Sequence, residues 1–211
     1  MLFMGYVKYP RTPHLPWSPG ASDDDVLLAD SFMFAGQDVV ITEKLDGENT
    51  SMYQDHIHAR SLDSRNHPSR AWVKAFHGSI AHLIPDGWRL CGENLYARHS
   101  LGYDNLKSYF YLFSLWNEHN VCLSWSETKE WAALLGLELP PVLFEGVWDE
   151  QQIQGIKLDL AKQEGYVVRT AEGFAYQDFQ QHVAKWVRKG HVQTDQHWMH
   201  AEVVANKLAE G

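Results

Sequence analysis

An α+β fold built on antiparallel sheets is what this sequence predicts, and three observations lead there. Short β-branched and aromatic runs recur along the chain and arrive in closely spaced pairs around glycine turns. Helical stretches are fewer and do not alternate one for one with the strands, as a parallel βαβ sheet requires. No repeat of roughly 20 to 50 residues marks a solenoid or propeller. With 211 residues, 45% of them hydrophobic, the chain is long enough for one packed core.

Taken in order, the chain reads as a Pro-rich N-terminal segment (1–37), a core that carries the sequence motifs (38–189) and a C-terminal helix (190–211) of one domain. Residues 9–20 hold Pro10, Pro13, Pro16, Pro19 and Gly20. Proline fixes φ and offers no N–H, so this stretch is extended and loop-like. Asp23, Asp24 and Asp25 form a solvated turn or a helix start. Residues 38–43 (DVVITE) and 49–53 flank a Gly47 turn and read as a hairpin. His56 and His58 alternate along a strand and read as exposed.

Trp72, Phe76, Ile80, Leu83 and Ile84 share one helix face. Strands follow at 88–93 and 109–116; in the second, alternation groups Tyr109, Tyr111 and Phe113 against Phe110. Ser124 and Glu127 form a capping-box pattern that opens a helix over 124–137, with Gly136 near its end. Ile153, Ile156 and Leu160 stripe a helix over 149–162. Strands at 165–169, 174–176 and 183–187 complete the core, with 170–173 as a tight hairpin turn. Trp198, Ala201, Ala205 and Leu208 lie on one face of the terminal helix.

Composition excludes several classes. No run of about 18 apolar residues exists to span a membrane, and the N-terminus lacks the apolar stretch of a signal peptide. Two cysteines, Cys91 and Cys122, are too few for a disulfide framework or a Cys-rich zinc site, which implies a reducing cytoplasm. The net charge of −9 argues against a protein that grips nucleic acid by bulk charge alone.

The residues suited to chemistry begin with Glu43-Lys44-Leu45-Asp46-Gly47-Glu48-Asn49, a lysine at a strand end entering a glycine turn. Lysine attacks only as the neutral amine, and at its ordinary pKa of about 10.4 almost none is neutral at pH 7. Cationic neighbours, a metal ion or desolvation must bring that pKa down. Further along come Glu93 in LCGEN, the aromatic strand YFYLFSL, Glu164 in EGYVVR, and Lys185, Arg188 and Lys189 in AKWVRK.

In this order and spacing the segments resemble the motifs of the covalent nucleotidyltransferases, the polynucleotide ligases and mRNA capping enzymes. With the short Arg60-Ser61 element they look most like ATP-dependent RNA ligases, a class of RNA-repair enzymes. The resemblance spans roughly residues 39–189. It implies a nucleotidyltransferase fold with the nucleotide between antiparallel sheets, and a lysyl-AMP intermediate on Lys44. AMP then passes to a 5′-phosphate RNA end, and a 3′-hydroxyl displaces it. By the same resemblance Asp46 and Gly47 shape the lysine turn, and Glu43 lies beside the adenine. Arg60 meets ribose or phosphate, Glu93 accepts a ribose hydroxyl and Phe113 stacks on the base. Glu164 helps to hold Mg²⁺ or Mn²⁺ or its waters, and Lys185 contacts the α-phosphate. Asn49 serves the nucleic-acid steps, and with a net charge of −9 the RNA must be held by local cations, Arg188 and Lys189 at the rim of the site and Arg65 and Arg70 outside it. The family often has Lys-x-Lys where this chain has Lys185-Trp186-Val187-Arg188-Lys189, which leaves the second cation open. It has an aspartate where this chain has Ser114.

Residues 190–211 are too few for the OB-fold that DNA ligases and capping enzymes carry there. The expectation is a minimal enzyme acting on RNA ends, or one that borrows an accessory substrate-binding protein. A capping-type guanylyltransferase and a DNA end-joining ligase are the rival enzymes, and a degenerate adenylate- or RNA-binding module is the non-enzyme alternative. His191, His197 and His200 offer half a zinc site or an RNA contact. Residues 9–15 (YPRTPHL) read either as a cover over the sheet or as the N-terminal segment found in small bacterial and phage RNA ligases, which they resemble.

Overall fold

Val39, Val40 and Ile41 are fully buried, so the first strand is covered on both faces and sits in the middle of the molecule. The computed structural model describes residues 5–63, 66–190 and 202–210. Among the described residues ten strands and three α-helices follow one another: β1 (Asp38–Lys44), β2 (Glu48–Met52), β3 (Ile57–Ala59), α1 (Ala71–Ile80), β4 (Arg89–Asn94), β5 (Phe110–Trp116), β6 (Val121–Cys122), α2 (Trp125–Leu135), β7 (Val142–Val147), α3 (Glu150–Gln154), β8 (Gly165–Thr170), β9 (Phe174–Ala175) and β10 (Val183–Val187). They form two antiparallel sheets, ordered β10-β8-β1-β7 and β3-β2-β4-β5-β6-β9. The α+β expectation holds. Among the described residues no helix is long and apolar enough to cross a membrane.

Among the described residues four apolar clusters hold the sheets, one of them Leu45, Leu95, Leu106 and Tyr111 beside the β1–β2 crossing. Met52, Leu90, Phe110, Leu112 and Leu115 pack under α1 and α2 on the outer face of the second sheet. Val39, Ile41 and Val168 pack with Leu15, Phe34 and Ile153 on the outer face of the first. Cys91, Trp116, Phe174 and Phe179 meet Val183 and Val167 between the two. Both cysteines are free and buried.

Several expectations change. Residues 38–43 and 49–53 are strands but not a hairpin: β1 pairs with β7 and β8, while β2 pairs with β3 and β4. Leu45, Asp46 and Gly47 carry the chain from one sheet to the other. A Cβ on Gly47 would meet the Asn94 carbonyl oxygen at 2.4 Å, so only glycine lets β2 start this close to β4. Residues 170–173 likewise cross between sheets, because β9 pairs with β6. The capping box is present: Ser124 Oγ accepts from Glu127 N, Glu127 accepts from Ser124 N, and Gly136 closes α2 in the left-handed conformation. The helix expected over 149–162 stops at Gln154. Gly155 caps it, and Asp159 then accepts two backbone bonds through its carbonyl in a turn. His58 is buried, not exposed, because β3 is covered by Tyr53 and the ring of His56. Arg70 is buried in a two-pronged ion pair with Glu48, at 2.8 and 2.5 Å, and is not an outer cation.

Of the expected C-terminal helix, 202–210 is extended. Ala205 bridges Ala97 and Leu208 bridges Leu106, while buried Asn206 donates to Leu95 O at 2.8 Å. Arg65, His191, His197 and His200 lie outside the described residues.

A candidate active site between the two sheets

The crossing from β1 to β2 places Lys44 where the two sheets face each other. Its Nζ donates to Glu164 Oε2 at 2.6 Å, and Glu164 is fully buried just before β8. The ladder puts Lys44 opposite Gly165, which allows the contact. From the second sheet, Glu93 Oε1 accepts from Gly47 N at 3.1 Å. Asp46 is buried and accepts from Ser100 Oγ and Leu101 N, both at 2.7 Å, while its own N donates to Tyr103 Oη at 2.8 Å. It anchors the turn.

Electrostatically this is one lysine among too many carboxylates. Burial works to lower the Lys44 ammonium, but the charges of Glu164 and Glu93, the hydrogen bond to Glu164 and the charge of Asp46 outweigh it, and its pKa lies above the ordinary lysine value. The sequence argument asks for a depressed pKa, and the resting site shows the opposite. Burial pushes the Glu93 carboxyl up to about 8 against the pull of Lys44, with Glu164 and Asp46 adding to the rise. Glu43 is half-buried, alternates to the other strand face from Lys44 and accepts from Gln163 Nε2 at 3.0 Å; burial raises its pKa.

The cations come from the same sheet as Lys44, on β10 next to β8. Lys185, on β10, is pulled down to about 8 by burial and by the charge of Lys44, with a smaller push from Arg60; Asp25 and Glu164 oppose this. Among the described residues no carboxylate lies within ion-pair distance of it. Arg188 follows, its backbone N donating to Glu164 O at 3.0 Å and its Nε buried without a partner. Lys189 is exposed. Asn49 pairs with Glu93 across β2 and β4, and its Oδ1 is buried and unpartnered. Phe113 is half-buried at the bulge between Cys91 and Gly92. That bulge shifts the alternation, so Leu112 and Leu115 share the outer core with Phe110. Buried donors and acceptors without partners, such as Arg188 Nε and Asn49 Oδ1, are costly unless a ligand meets them.

Comparisons with known proteins give the family and the fold. The RNA ligase family model matches residues 37–187, most of the chain. The chain belongs to the RNA ligase family. Its fold is similar to a Naegleria gruberi RNA ligase solved with pyrophosphate: TM-score 0.54, 22% identity, 74% of this chain and 51% of that one. A mutant of that ligase solved with ATP and Mn gives TM-score 0.52 and 20% identity over the same shares. An archaeal ATP-dependent RNA ligase gives TM-score 0.57 and 15% identity over 85% of this chain and 48% of that one. The chain thus spans about half the length of these structures. No curated protein matches it.

As an RNA ligase fold, the chain brings Lys44, Asp46, Gly47, Glu93 and Glu164 together from both sheets, with Lys185 and Arg60 within electrostatic reach. Sequence reasoning missed Tyr103, which ties down the lysine turn, and Gln163, which holds Glu43. Gln163 had a signal, as the neighbour of Glu164; Tyr103 had none. A divalent cation fits in one form. Among the described residues no group of three or more His, Cys, Asp or Glu is arranged to hold a metal. Two buried carboxyls are nonetheless at hand: Glu164, paired with Lys44, and Glu93, whose raised pKa would fall again beside a cation. That suits an ion held by phosphate oxygens and waters, with one or two protein carboxylates.

Lys185 gives this site a pH signature. Below about pH 8 it is cationic, and above that the free protein has lost the charge. Binding a triphosphate then requires proton uptake, which costs up to about tenfold in affinity per pH unit. Affinity for an ATP analogue with a methylene α,β-bridge should fall above pH 8, and Lys185→Arg, charged throughout, should remove the fall. An identical fall in Lys185→Arg would assign it to another group.

Proposed function

We propose that this chain carries out ATP-dependent RNA ligation through a covalent lysyl-AMP on Lys44, in a reducing cytoplasm. The supporting observation is the pairing of Lys44 with buried Glu164 on a sheet that also carries Lys185, which among the described residues has no carboxylate within ion-pair distance. The neutral Lys44 amine attacks the α-phosphorus of ATP, a P–N bond forms, the bond to pyrophosphate breaks and the amine proton leaves. A 5′-phosphate oxygen of RNA then takes the AMP and releases Lys44. The 3′-hydroxyl oxygen next attacks that 5′-phosphate, and AMP departs.

Glu164 would hold Mg²⁺ or Mn²⁺, which supplies positive charge for the triphosphate. Lys185 would balance the charge that grows on the α-phosphate, and Arg60 would meet ribose or phosphate. Glu93 would take a ribose hydroxyl, Phe113 the base face and Glu43 the adenine edge. Asn49, Arg188 and Lys189 would meet RNA, with or without an accessory protein. The test is a joining assay with 5′-phosphate and 3′-hydroxyl strands of RNA and DNA, with ATP or GTP. AMP-capped RNA and sealed product with ATP are expected. Product with GTP alone would point to a guanylyltransferase, sealing of DNA alone to a DNA ligase, and no product to a binding module.

Arg188→Ala separates the two halves of the reaction. Its unpartnered Nε is suited to a phosphate oxygen, and a charge-assisted hydrogen bond contributes about 1.5–3 kcal/mol. Joining should fall roughly tenfold or more, while self-adenylation changes less than about threefold. Equal losses would place Arg188 at the nucleotide.

A further inference from the structure

The N-terminal segment touches both walls of the cleft. On the first sheet it runs beside β10: Lys185 N donates to Pro13 O at 2.9 Å, and Leu15 N donates to Lys185 O at 2.8 Å. Buried His14 lies between these bonds, with its Nδ1 2.7 Å from Ser18 Oγ, and that same Oγ accepts from Val187 N at 2.9 Å. On the second sheet the ring of Tyr9 stands edge-on to Phe113 at 5.4 Å and 75°, and edge-on to Phe179 at 5.4 Å and 84°. Burial raises the pKa of its hydroxyl, and nearby Ser114 opposes the rise. Tyr176 Oη fixes the adjoining backbone by donating to Lys8 O at 2.7 Å.

Four residue steps separate Tyr9 from Pro13. An extended chain covers at most about 14 Å in that distance, and Pro10 and Pro13 remove freedom in φ. The segment is therefore a short, stiff link between Phe113 and Lys185. Cover alone would not require an aromatic ring inserted against Phe113, nor backbone bonds on both sides of Lys185. Ser114 also fits this arrangement: it is buried beside Tyr9, where the larger, charged aspartate common in the family would lose its hydration.

We propose that Tyr9 is a positioning residue for the base-stacking ring Phe113, and that residues 9–15 set the spacing between the base end and the α-phosphate end of the nucleotide site. The inference rests on reading the cleft as an ATP site.

A double-mutant cycle on self-adenylation tests it. Tyr9→Ala should raise the KM for ATP roughly three- to tenfold, the range of an aromatic pair, with the maximal rate within about twofold. Tyr9→Phe keeps the ring and should restore the KM. In a Phe113→Ala background Tyr9→Ala should add less than about twofold, because its effect passes through that ring. If Tyr9→Ala does not fold, Tyr9→Leu carries the same expectation. A general loss of folding would lower the fraction of labelled protein without moving the KM, and would overturn the proposal. The same multiplicative KM effect with and without Phe113 would overturn it too. A wild-type protein that neither binds ATP nor forms an adduct would remove the ATP-site reading and this inference together. An active wild type with an unchanged Tyr9→Ala KM would remove only the inference.

Discussion

Lys44→Ala is expected to reduce covalent labelling by α-labelled ATP to background, a loss of more than about a thousandfold, as for removal of other enzyme nucleophiles. Among the described residues, no other amine both faces the buried carboxylates and sits at the crossing between the sheets. Truncation also leaves Glu164 buried without its ammonium, and breaking such a pair costs about 3–5 kcal/mol unless the carboxyl takes up a proton. Lys44→Arg separates the two effects. It keeps a cation beside Glu164 and so keeps the melting temperature close to wild type, yet it cannot form the phosphoramidate. Both variants should retain some sealing of pre-adenylated RNA, since that step bypasses enzyme-AMP. Labelling of either variant above background would overturn the assignment of Lys44.

The second large effect is expected at Glu164. Its carboxylate holds Lys44 in the ammonium form, so Glu164→Gln should lower the Lys44 pKa, because burial then acts with less opposition. Taken alone, that change would speed attack. Self-adenylation should nevertheless fall by about a hundredfold or more, since the triphosphate loses the carboxylate that brings its divalent cation. Two measurements separate the contributions: the adenylation rate with saturating Mg²⁺, and the pH dependence of Lys44 acylation by a small amine-reactive anhydride without ATP. The expected pair is slower adenylation with Lys44 reactive at lower pH. Faster adenylation would show that Glu164 only restrains Lys44 and handles no cation.

Much of this was legible because strand ends and local chemistry leave signatures in sequence. The run Glu43 to Asn49 marked a strand end and a glycine turn, and Ser124 with Glu127 marked a helix start; both are local features. Partner choice was not legible. Short turns around Gly47 and over 170–173 read as hairpins, yet each carries the chain between sheets, which is decided by long-range pairing with β4 and β6. The strand β7 escaped notice because it is an edge strand with one exposed flank and no clean alternation. Residues 156–160 imitated a helix because Ile153 and Ile156 pack on the same core through a turn. The resting charge state of Lys44 was not legible either. It depends on Glu164 and Glu93, distant in sequence and brought together only by the two sheets.

The central claim is a covalent adenylate on Lys44, and intact-protein mass spectrometry measures it directly. Purified protein is incubated with Mg²⁺ and either ATP or GTP, and peptide mapping locates any adduct. The account predicts one adenylyl group per chain with ATP, on Lys44, released by acid as a phosphoramidate should be, and none with GTP. An unmodified chain after ATP treatment, an adduct on another residue, or a guanylyl adduct in place of the adenylyl one would contradict it.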